Sequence, residues 1–116
     1  MKESNKISAE SFSRTYQDNQ NLVLIDVRSP VEFESKHIKG SFNIPIDDLS
    51  VNSMKELIKR KKIKTNEEIY FICKSGMRAK LAQQKMEDSK HPIVCVDKGL
   101  DGIDSGEGIE YNYGSR

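Results

Sequence analysis

One short segment, Cys73-Lys74-Ser75-Gly76-Met77-Arg78, has side chains and a spacing suited to nucleophilic chemistry. A cysteine reacts as the thiolate, and because an ordinary thiol has a pKa of about 8.5, its surroundings must favour the anion. Arg78 and Lys74 supply positive charge, and Gly76 permits a turn in which several backbone N–H groups converge on one point. The segment therefore predicts a positively biased cradle with the sulfur of Cys73 at its centre.

The residues on either side of this loop predict the strand before it and the helix after it. Residues 68–72 (EIYFI) are rich in β-branched and aromatic side chains and predict a strand. After the loop, Met77, Leu81, Ala82 and Met86 recur at helical spacing, which predicts a helix ending near residue 88 with this stripe in the core. The loop would then lie at a helix N-terminus, where unsatisfied N–H groups and the helix dipole favour negative charge.

The rest of the chain alternates between helix and strand patterns. Ser8 is a candidate N-cap for a helix with Phe12 and Tyr16 on one face. Two runs without polar alternation, residues 22–25 and 92–96, predict strands that are covered on both faces. Such strands are typical of a parallel sheet that lies between helices.

Two capping-box patterns predict two further helices. Ser29, Pro30 and Glu32 have the types expected at the N-cap, first and third positions of a short helix, which a small strand and turn at residues 37–40 would follow. Residues 53–56 (SMKE) predict the start of another helix, with Met54 inward. The alternation of elements predicts an α/β fold with a mostly parallel sheet.

Length and charge restrict the function classes. A chain of 116 residues predicts a single domain, with its core at about residues 7–103 and a tail of unassigned conformation at 104–116. The net charge of +1 argues against a strongly basic nucleic-acid binder. The longest apolar run, residues 69–73, is too short to span a membrane, and the N-terminus lacks the apolar region of a signal peptide. These features predict a soluble, cytoplasmic protein.

The two cysteines receive different interpretations. In a reducing compartment thiols stay free, and a cysteine is more often catalytic or buried than disulfide-bonded. Cys73 is the candidate nucleophile. Cys95 lies inside the apolar run IVCV and is interpreted as a small buried hydrophobe, with a resolving thiol for Cys73 as the alternative.

Three ordered motifs resemble the rhodanese family of sulfurtransferases. The first is the Cys-(four residues)-Arg loop. Upstream, residues 24–33 (LIDVRSPVEF) look like the family's strand-to-helix segment, and residues 37–45 (HIKGSFNIP) are similar to the stretch that follows it. The resemblance covers about residues 7–103. It departs from the family at residues 98–103 (KGLDGI), where many members carry two glycines and then a tryptophan, a residue type that this chain lacks.

The resemblance implies a central, mostly parallel sheet with helices on both faces, and a double-displacement reaction. Cys73 would take a sulfane sulfur from a donor such as thiosulfate and become a persulfide, which cyanide, a thiol or a sulfur-carrier protein would then discharge. Lys74, Ser75, Gly76, Met77 and Arg78 would form the substrate-binding loop, its amides stabilising the persulfide and its cations attracting the donor. No cofactor or metal is implied.

Two other functions remain open. The first is a non-enzymatic module, either a persulfide carrier or a redox sensor. The second is phosphatase or arsenate-reductase chemistry. Rhodanese-fold phosphatases carry five residues between the cysteine and the arginine, which makes a ring wide enough for phosphate. This chain carries four, so the loop length favours a single sulfur atom over a phosphate group.

Charged residues outside the loop are interpreted as structural. Asp26, Arg28 and Glu32 would form supporting ion pairs near a strand end, and His37 would have a structural or surface role. The basic run at residues 59–64 is interpreted as a solvated helix end, which suits the helix dipole, with nucleic-acid binding or docking of an acidic partner as the alternatives. Neither histidine has the neighbouring cysteines or carboxylates of a metal site. The sequence leaves the oligomeric state open.

Overall fold

The computed structural model describes residues 5–64, 66–103 and 108–114. Its strands are β1 (Lys6–Ile7), β2 (Val23–Asp26), β3 (Lys36–Ile38), β4 (Phe42–Asn43), β5 (Ile69–Ile72), β6 (Ile93–Val96) and β7 (Tyr111–Tyr113). Five of them form a parallel sheet in the spatial order β1-β6-β5-β2-β4, and β3 pairs antiparallel with β7. Because β2 and β5 pair over their full length, the loops that follow them emerge side by side at one edge of the sheet.

Four α-helices connect these strands: α1 (Ala9–Asp18), α2 (Pro30–Ser35), α3 (Val51–Lys61) and α4 (Met77–Lys85). Two short 3₁₀ helices lie at Ile46–Asp48 and Gly99–Gly102. The side chain of Ser8 accepts a hydrogen bond from Ser11 N–H and caps α1, as its sequence pattern predicts. Ser29 and Glu32 form the predicted capping box of α2. None of the helices in the described residues has the length and hydropathy that a membrane span requires.

Buried side chains fill both faces of the sheet. All four residues in each of β2, β5 and β6 are buried, which explains why these strands are apolar throughout, except for Asp26 at the end of β2. One core cluster packs α3 and α4 against the sheet, and the opposite cluster packs α1 and the end of the chain against it. The predicted α/β class with a mostly parallel central sheet is confirmed.

The start of α3 differs from the sequence prediction. Its N-cap is Ser50, whose side chain accepts from Ser53 N–H while the Ser53 side chain accepts from Ser50 N–H. The capping box therefore lies three residues before the one predicted at residues 53–56. Serine at the third helical position can close the box as glutamate does, so the rule that expects glutamate or glutamine there missed this start.

The inward face of α4 also differs. Met77 and Leu81 are 72% and 54% exposed, whereas Ala79, Ala82 and Gln83 are buried. The predicted core stripe is therefore confirmed at Ala82 and Met86, which are buried, and wrong at Met77 and Leu81. Small alanines face the sheet and allow close packing. The helix ends at Lys85, short of the predicted residue 88.

The end of the chain folds back onto the body. β7 pairs with β3 in the register Lys36 to Tyr113 and Ile38 to Tyr111. Exposed ion-pair and hydrogen-bond contacts from Glu110 to Lys39 and Gln20 accompany this pairing. The tail at residues 104–116 has no conformation assigned from the sequence. Part of this tail thus has a defined conformation, while residues 104–107 and 115–116 lie outside the described residues.

Candidate active site

Cys73 follows directly on β5, at the edge where the strand ends and the loop to α4 begins. The residue is 1% exposed. Its Sγ accepts hydrogen bonds from Gly76 N–H at 3.0 Å and from Ala79 N–H at 3.3 Å. Two backbone donors that converge on one sulfur stabilise negative charge there, because charge-assisted hydrogen bonds are about twice as strong as neutral ones. This geometry suits a nucleophilic sulfur or a bound persulfide.

Gly76 gives the loop its sharp turn. Its φ of +98° lies in the left-handed region, and it is the N-cap residue of α4. A Cβ at this position would lie 2.9 Å from Lys98 N, so a larger residue would also push against the neighbouring turn. Glycine is required here by both backbone angle and space, and the turn is what brings its N–H back onto the sulfur.

The 3₁₀ turn at Gly99–Gly102 supports the loop from the other side. Leu100 N–H donates to Cys73 O at 2.9 Å, and Asp101 N–H donates to Lys74 O at 2.8 Å. Gly99 has a φ of +57°, and a Cβ there would collide with the carbonyl oxygen of Cys73. The segment at which the sequence departs from the family pattern is thus the one that fixes the backbone of the nucleophile.

Arg78 is held by Glu32 across the mouth of the loop. Its two terminal nitrogens donate to the two carboxylate oxygens at 2.6 and 3.0 Å. The Arg78 hydrogen bond lowers the pKa of Glu32 to about 2, and Glu32 in turn raises the pKa of Arg78. Because Glu32 also closes the capping box of α2, Arg78 is fixed in place and its charge is largely balanced.

The remaining predicted loop residues lie at the surface. Lys74, Ser75 and Met77 are exposed. The ammonium of Lys74 contacts Asp101 at 3.3 Å, in a pair whose side chains are both more than half exposed. Both cations of the loop thus have a carboxylate partner, whereas the sequence assigned them to an anionic donor alone.

Asp26 and Arg28 form a buried pair beside the loop. They are 1% and 7% exposed, and the Arg28 guanidinium contacts the carboxylate at 2.8 Å. Arg28 also donates to Lys36 O at 2.6 Å, and the side-chain amide of Asn43 donates to the carbonyls of both Asp26 and Arg28. These contacts fix the connection from β2 to α2, and hence the position of Glu32.

His37 lies on the surface side of β3 and takes no part in the loop. Its ring stacks on Phe33 with centroids 3.7 Å apart, and Nδ1 lies 2.8 Å from Phe33 O. Within residues 5–64, 66–103 and 108–114, His, Cys, Asp and Glu side chains do not gather in a group of three or more that could hold a metal ion.

Cys95 lies on the next strand, β6, opposite Phe71 of β5. Its thiol donates to Ala79 O at 3.1 Å. Burial raises the pKa of Cys95 to about 12, and the charge of the nearby Cys73 adds to this effect. Both cysteines are free, and Cys95 remains a protonated thiol at neutral pH.

Sequence reasoning missed Ala79, Gly99 and the pairing of Glu32 with Arg78. Ala79 N–H lies beyond the predicted donor set of residues 74–78, although it is the third residue of α4 and such N–H groups are free for capping contacts. Reading Cys73 as a side chain that caps this helix would have found it. Gly99 could be interpreted from the sequence only as part of a turn. The Glu32–Arg78 pair joins residues 46 positions apart, and a local sequence pattern cannot reveal such a contact.

The family is decided by a match over most of the chain. The model of the rhodanese-like domain family matches residues 8–105. The chain belongs to the rhodanese-like domain family. The resemblance identified from the loop and its two upstream motifs is therefore confirmed.

Individual relatives agree with this assignment. The chain is 32% identical over 82 residues to the "Putative sulfur carrier protein YrkF" of Bacillus subtilis (strain 168), an alignment covering 71% of the chain and 40% of that protein. It is 25% identical over 107 residues to the "Adenylyltransferase and sulfurtransferase UBA4" of Candida albicans, covering 86% of the chain and 24% of that protein. The chain thus spans well under two-thirds of these relatives. Family and relatives support a sulfur-transfer role.

A solved structure shows the same fold. The thiosulfate sulfurtransferase of Pseudomonas aeruginosa superposes with a TM-score of 0.77 and 19% identity, covering 97% of this chain and 21% of that one. The rhodanese-like fold therefore extends over nearly the whole chain.

Proposed function

We propose that this rhodanese-like protein is a sulfurtransferase that carries a sulfane sulfur on Cys73. The observation that supports this most is the pair of N–H donors, Gly76 and Ala79, that converge on Cys73 Sγ. Donors fixed in advance around an atom that carries charge cost no reorganisation when the charge develops. The same two donors suit the thiolate before the transfer and the persulfide after it.

The reaction has two displacements. With thiosulfate as donor, the Cys73 thiolate attacks the outer sulfur, the S–S bond of thiosulfate breaks, and sulfite leaves with the electron pair. The product is Cys73–S–S⁻. With cyanide as acceptor, carbon attacks the terminal sulfur, the persulfide S–S bond breaks, and thiocyanate leaves while Cys73 returns to the thiolate.

Burial of Cys73 gives the two steps different requirements. Because the residue is 1% exposed, the first donor must be a small molecule or one that presents an extended sulfur. An added sulfur places the reactive atom about 2 Å beyond Sγ, at the end of the new S–S bond. The persulfide is thus easier to reach than the thiol, which suits transfer to a larger acceptor, including a sulfur-carrier protein.

Turnover of thiosulfate and cyanide tests this proposal. We expect thiocyanate to accumulate with ping-pong kinetics, and Cys73→Ser to abolish it while the circular dichroism spectrum is unchanged. Intact mass separates the alternatives. One added sulfur on the protein without turnover would indicate that the protein is a persulfide carrier and not an enzyme. Hydrolysis of an aryl phosphate without sulfur loading would instead indicate a phosphatase.

A further inference from the structure

An open groove of about 540 Å³ adjoins the Cys73 loop between α2 and the folded-back tail. Lys74 of the loop lines this groove, and so does Glu32 of α2, the ion-pair partner of Arg78. The walls of the groove include apolar or aromatic surface from α2, from the 3₁₀ turn with the residue after it, and from β7, namely Val31, Leu100, Ile103 and Tyr111. A volume of this size is in the range that holds organic ligands, whereas thiosulfate has five heavy atoms and would fill a small part of it.

Two of the cations that line this groove are already neutralised. The guanidinium of Arg28 contacts Asp26, and the ammonium of Lys74 contacts Asp101. Their charges attract a further anion weakly, because each lies at contact distance from a carboxylate.

Lys36, the third cation that lines the groove, contacts aromatic rings, whereas the other two contact carboxylates. Its ammonium lies 4.2 Å from the ring centroid of Tyr111 and 5.8 Å from that of Tyr113. Among the described residues, the ion pairs do not include Lys36. The lining carboxylate Glu32 is taken up by Arg78, so the groove has one positive charge that its described carboxylates leave uncompensated.

We propose that this groove, with Lys36 and Tyr111 as its specificity residues, binds an organic acceptor thiol that carries a carboxylate. The inference rests on the proposed function, since it names the acceptor for the Cys73 persulfide. The carboxylate contacts the Lys36 ammonium, and the carbon chain lies on Tyr111 and Leu100. A ring holds the ammonium in position without neutralising it, so an anion can still bind it.

The transfer balances without an oxidant or reductant. The Cys73–S–S⁻ persulfide first takes up a proton from solvent to give Cys73–S–SH, and the acceptor thiolate RS⁻ then attacks its outer sulfur. A new RS–S bond forms, the persulfide S–S bond breaks, and Cys73 leaves as the thiolate. The proton stays on the transferred sulfur, which gives RS–SH.

A charge series of simple thiols tests the proposal. The protein is loaded with thiosulfate, freed of donor, and its added sulfur is verified by intact mass. It is then discharged with 3-mercaptopropionate, 2-mercaptoethanol or cysteamine, and each second-order rate constant is divided by the thiolate fraction at the assay pH. We expect the anionic thiol to exceed the cationic one by about tenfold at low salt, and the ratio to fall as salt screens the contact.

Variants assign this preference to the groove. Lys36→Gln should reduce the ratio of anionic to cationic rates several-fold, and Lys36→Glu should invert it. Tyr111→Leu should lower the rates for organic thiols relative to cyanide. Lys59→Gln is the matched control, because it removes the same charge from α3, which does not line the groove. In this control the ratio should equal that of the wild type.

The outcomes separate this proposal from the function on which it rests. Loading by thiosulfate and discharge by cyanide, together with equal normalised rates for the three thiols, would overturn the groove assignment and leave the sulfurtransferase in place. A preference that persists in Lys36→Glu would also overturn it. Failure of the wild type to load would contradict the proposed function itself.

Discussion

The two cysteines of this protein lie in one core cluster at two adjacent strands, β5 and β6, yet their surroundings are opposite. Cys73 lies just beyond the end of β5 and accepts two backbone N–H groups. Cys95 lies within β6 and donates its proton to a backbone carbonyl. Both are nearly inaccessible, at 1% and 6% exposure, so burial does not distinguish them. The direction of the hydrogen bonds does, because N–H groups favour a sulfur anion and a carbonyl favours a thiol.

Ala79 connects these two environments. Its N–H points to Cys73 and its C=O receives Cys95. The first turn of α4 therefore presents its positive backbone groups to one sulfur and a negative one to the other. The position of a cysteine relative to a helix N-terminus, rather than its exposure, decides which one is suited to nucleophilic chemistry.

Exchanging each cysteine for alanine should give the largest contrast. Cys73→Ala should lower thiosulfate-to-cyanide turnover by at least about a thousandfold, since the covalent intermediate cannot form. Cys95→Ala should keep turnover within about threefold of wild type and cost about 1 kcal/mol of stability, from the loss of a small buried group. Steady-state rates and urea unfolding measure the two quantities. A comparable loss of turnover in both variants would mean that Cys95 takes part in the reaction.

Gly99→Ala should disrupt the Cys73 environment through its backbone. The added Cβ would collide with Cys73 O and lie 2.8 Å from Lys74 O, in addition to the strain of a positive φ. We expect a loss of stability of more than about 2 kcal/mol and the loss of sulfur loading. Thermal unfolding and intact mass after thiosulfate treatment measure the two effects.

Gly40→Ala is the matched control for this substitution. Gly40 also has a positive φ, +93°, but a Cβ there would lie at an ordinary 3.5 Å from Gln20 O and far along the chain from the loop. This variant should lose about 1–2 kcal/mol through backbone strain alone and still load sulfur. Equal stability and loading in the two variants would show that the contact of Gly99 with the loop is unimportant.

Arg78→Ala tests how much the guanidinium beside the Cys73 loop contributes to the reaction with thiosulfate. Removing it deletes the cation that the family resemblance assigns to an anionic donor, and leaves the Glu32 carboxylate unpaired beside the site, where it would repel that donor. We expect kcat/KM for thiosulfate to fall. The fall should correspond to a loss of about 1.5–3 kcal/mol of transition-state stabilisation. Glu32→Gln, which keeps the arginine but weakens its anchoring, should have a smaller effect. If Arg78→Ala leaves the rate at limiting thiosulfate unchanged, the arginine serves structure alone.

The smallest effect concerns pH and Cys95. In the unfolded chain a thiol has a pKa of about 8.5, whereas burial raises the pKa of Cys95 to about 12 in the folded protein. Between these values the unfolded state binds fewer protons than the folded state, so this contribution to stability falls as the pH rises. It is fully present below about pH 8.5.

Urea unfolding of the wild type and Cys95→Ala at pH 8, 9 and 10 isolates this contribution. The stability advantage of the wild type over Cys95→Ala should fall with rising pH, by at most about 1.4 kcal/mol per pH unit, so an advantage of about 1 kcal/mol at pH 8 should be reversed by pH 10. Tyr70, whose pKa burial raises to about 12, is present in both proteins and cancels. A difference that is constant over this range would mean that Cys95 is not held as a protonated thiol.

Much of the fold could be predicted because its signals are local. The unbroken apolar runs of β2, β5 and β6 and the caps at Ser8 and Ser29 follow from neighbouring residues alone. The side of α4 that packs on the sheet could not, because Met77 and Leu81 look like core residues whereas alanines fit the close approach. The short strand β7 was missed because its three residues gain their conformation from pairing with β3.

The candidate site divides in the same way. The nucleophile, the glycine turn and the following arginine form one contiguous motif, so the sequence predicted them together. The donor from Ala79 depends on helix phase, and the Glu32–Arg78 pair and the Gly99 contact depend on tertiary packing. Whether the predicted loop residues perform their assigned roles stays a prediction that the variants above test.

Peptide mass mapping after thiosulfate treatment tests the central claim most directly. The protein is incubated with thiosulfate, alkylated without reductant and cleaved, so that Cys73 and Cys95 fall on separate peptides. We predict one added sulfur on the Cys73 peptide and none on the Cys95 peptide, with the added sulfur lost after cyanide. Sulfur on the Cys95 peptide, or undiminished loading of the Cys73→Ser protein, would contradict the account.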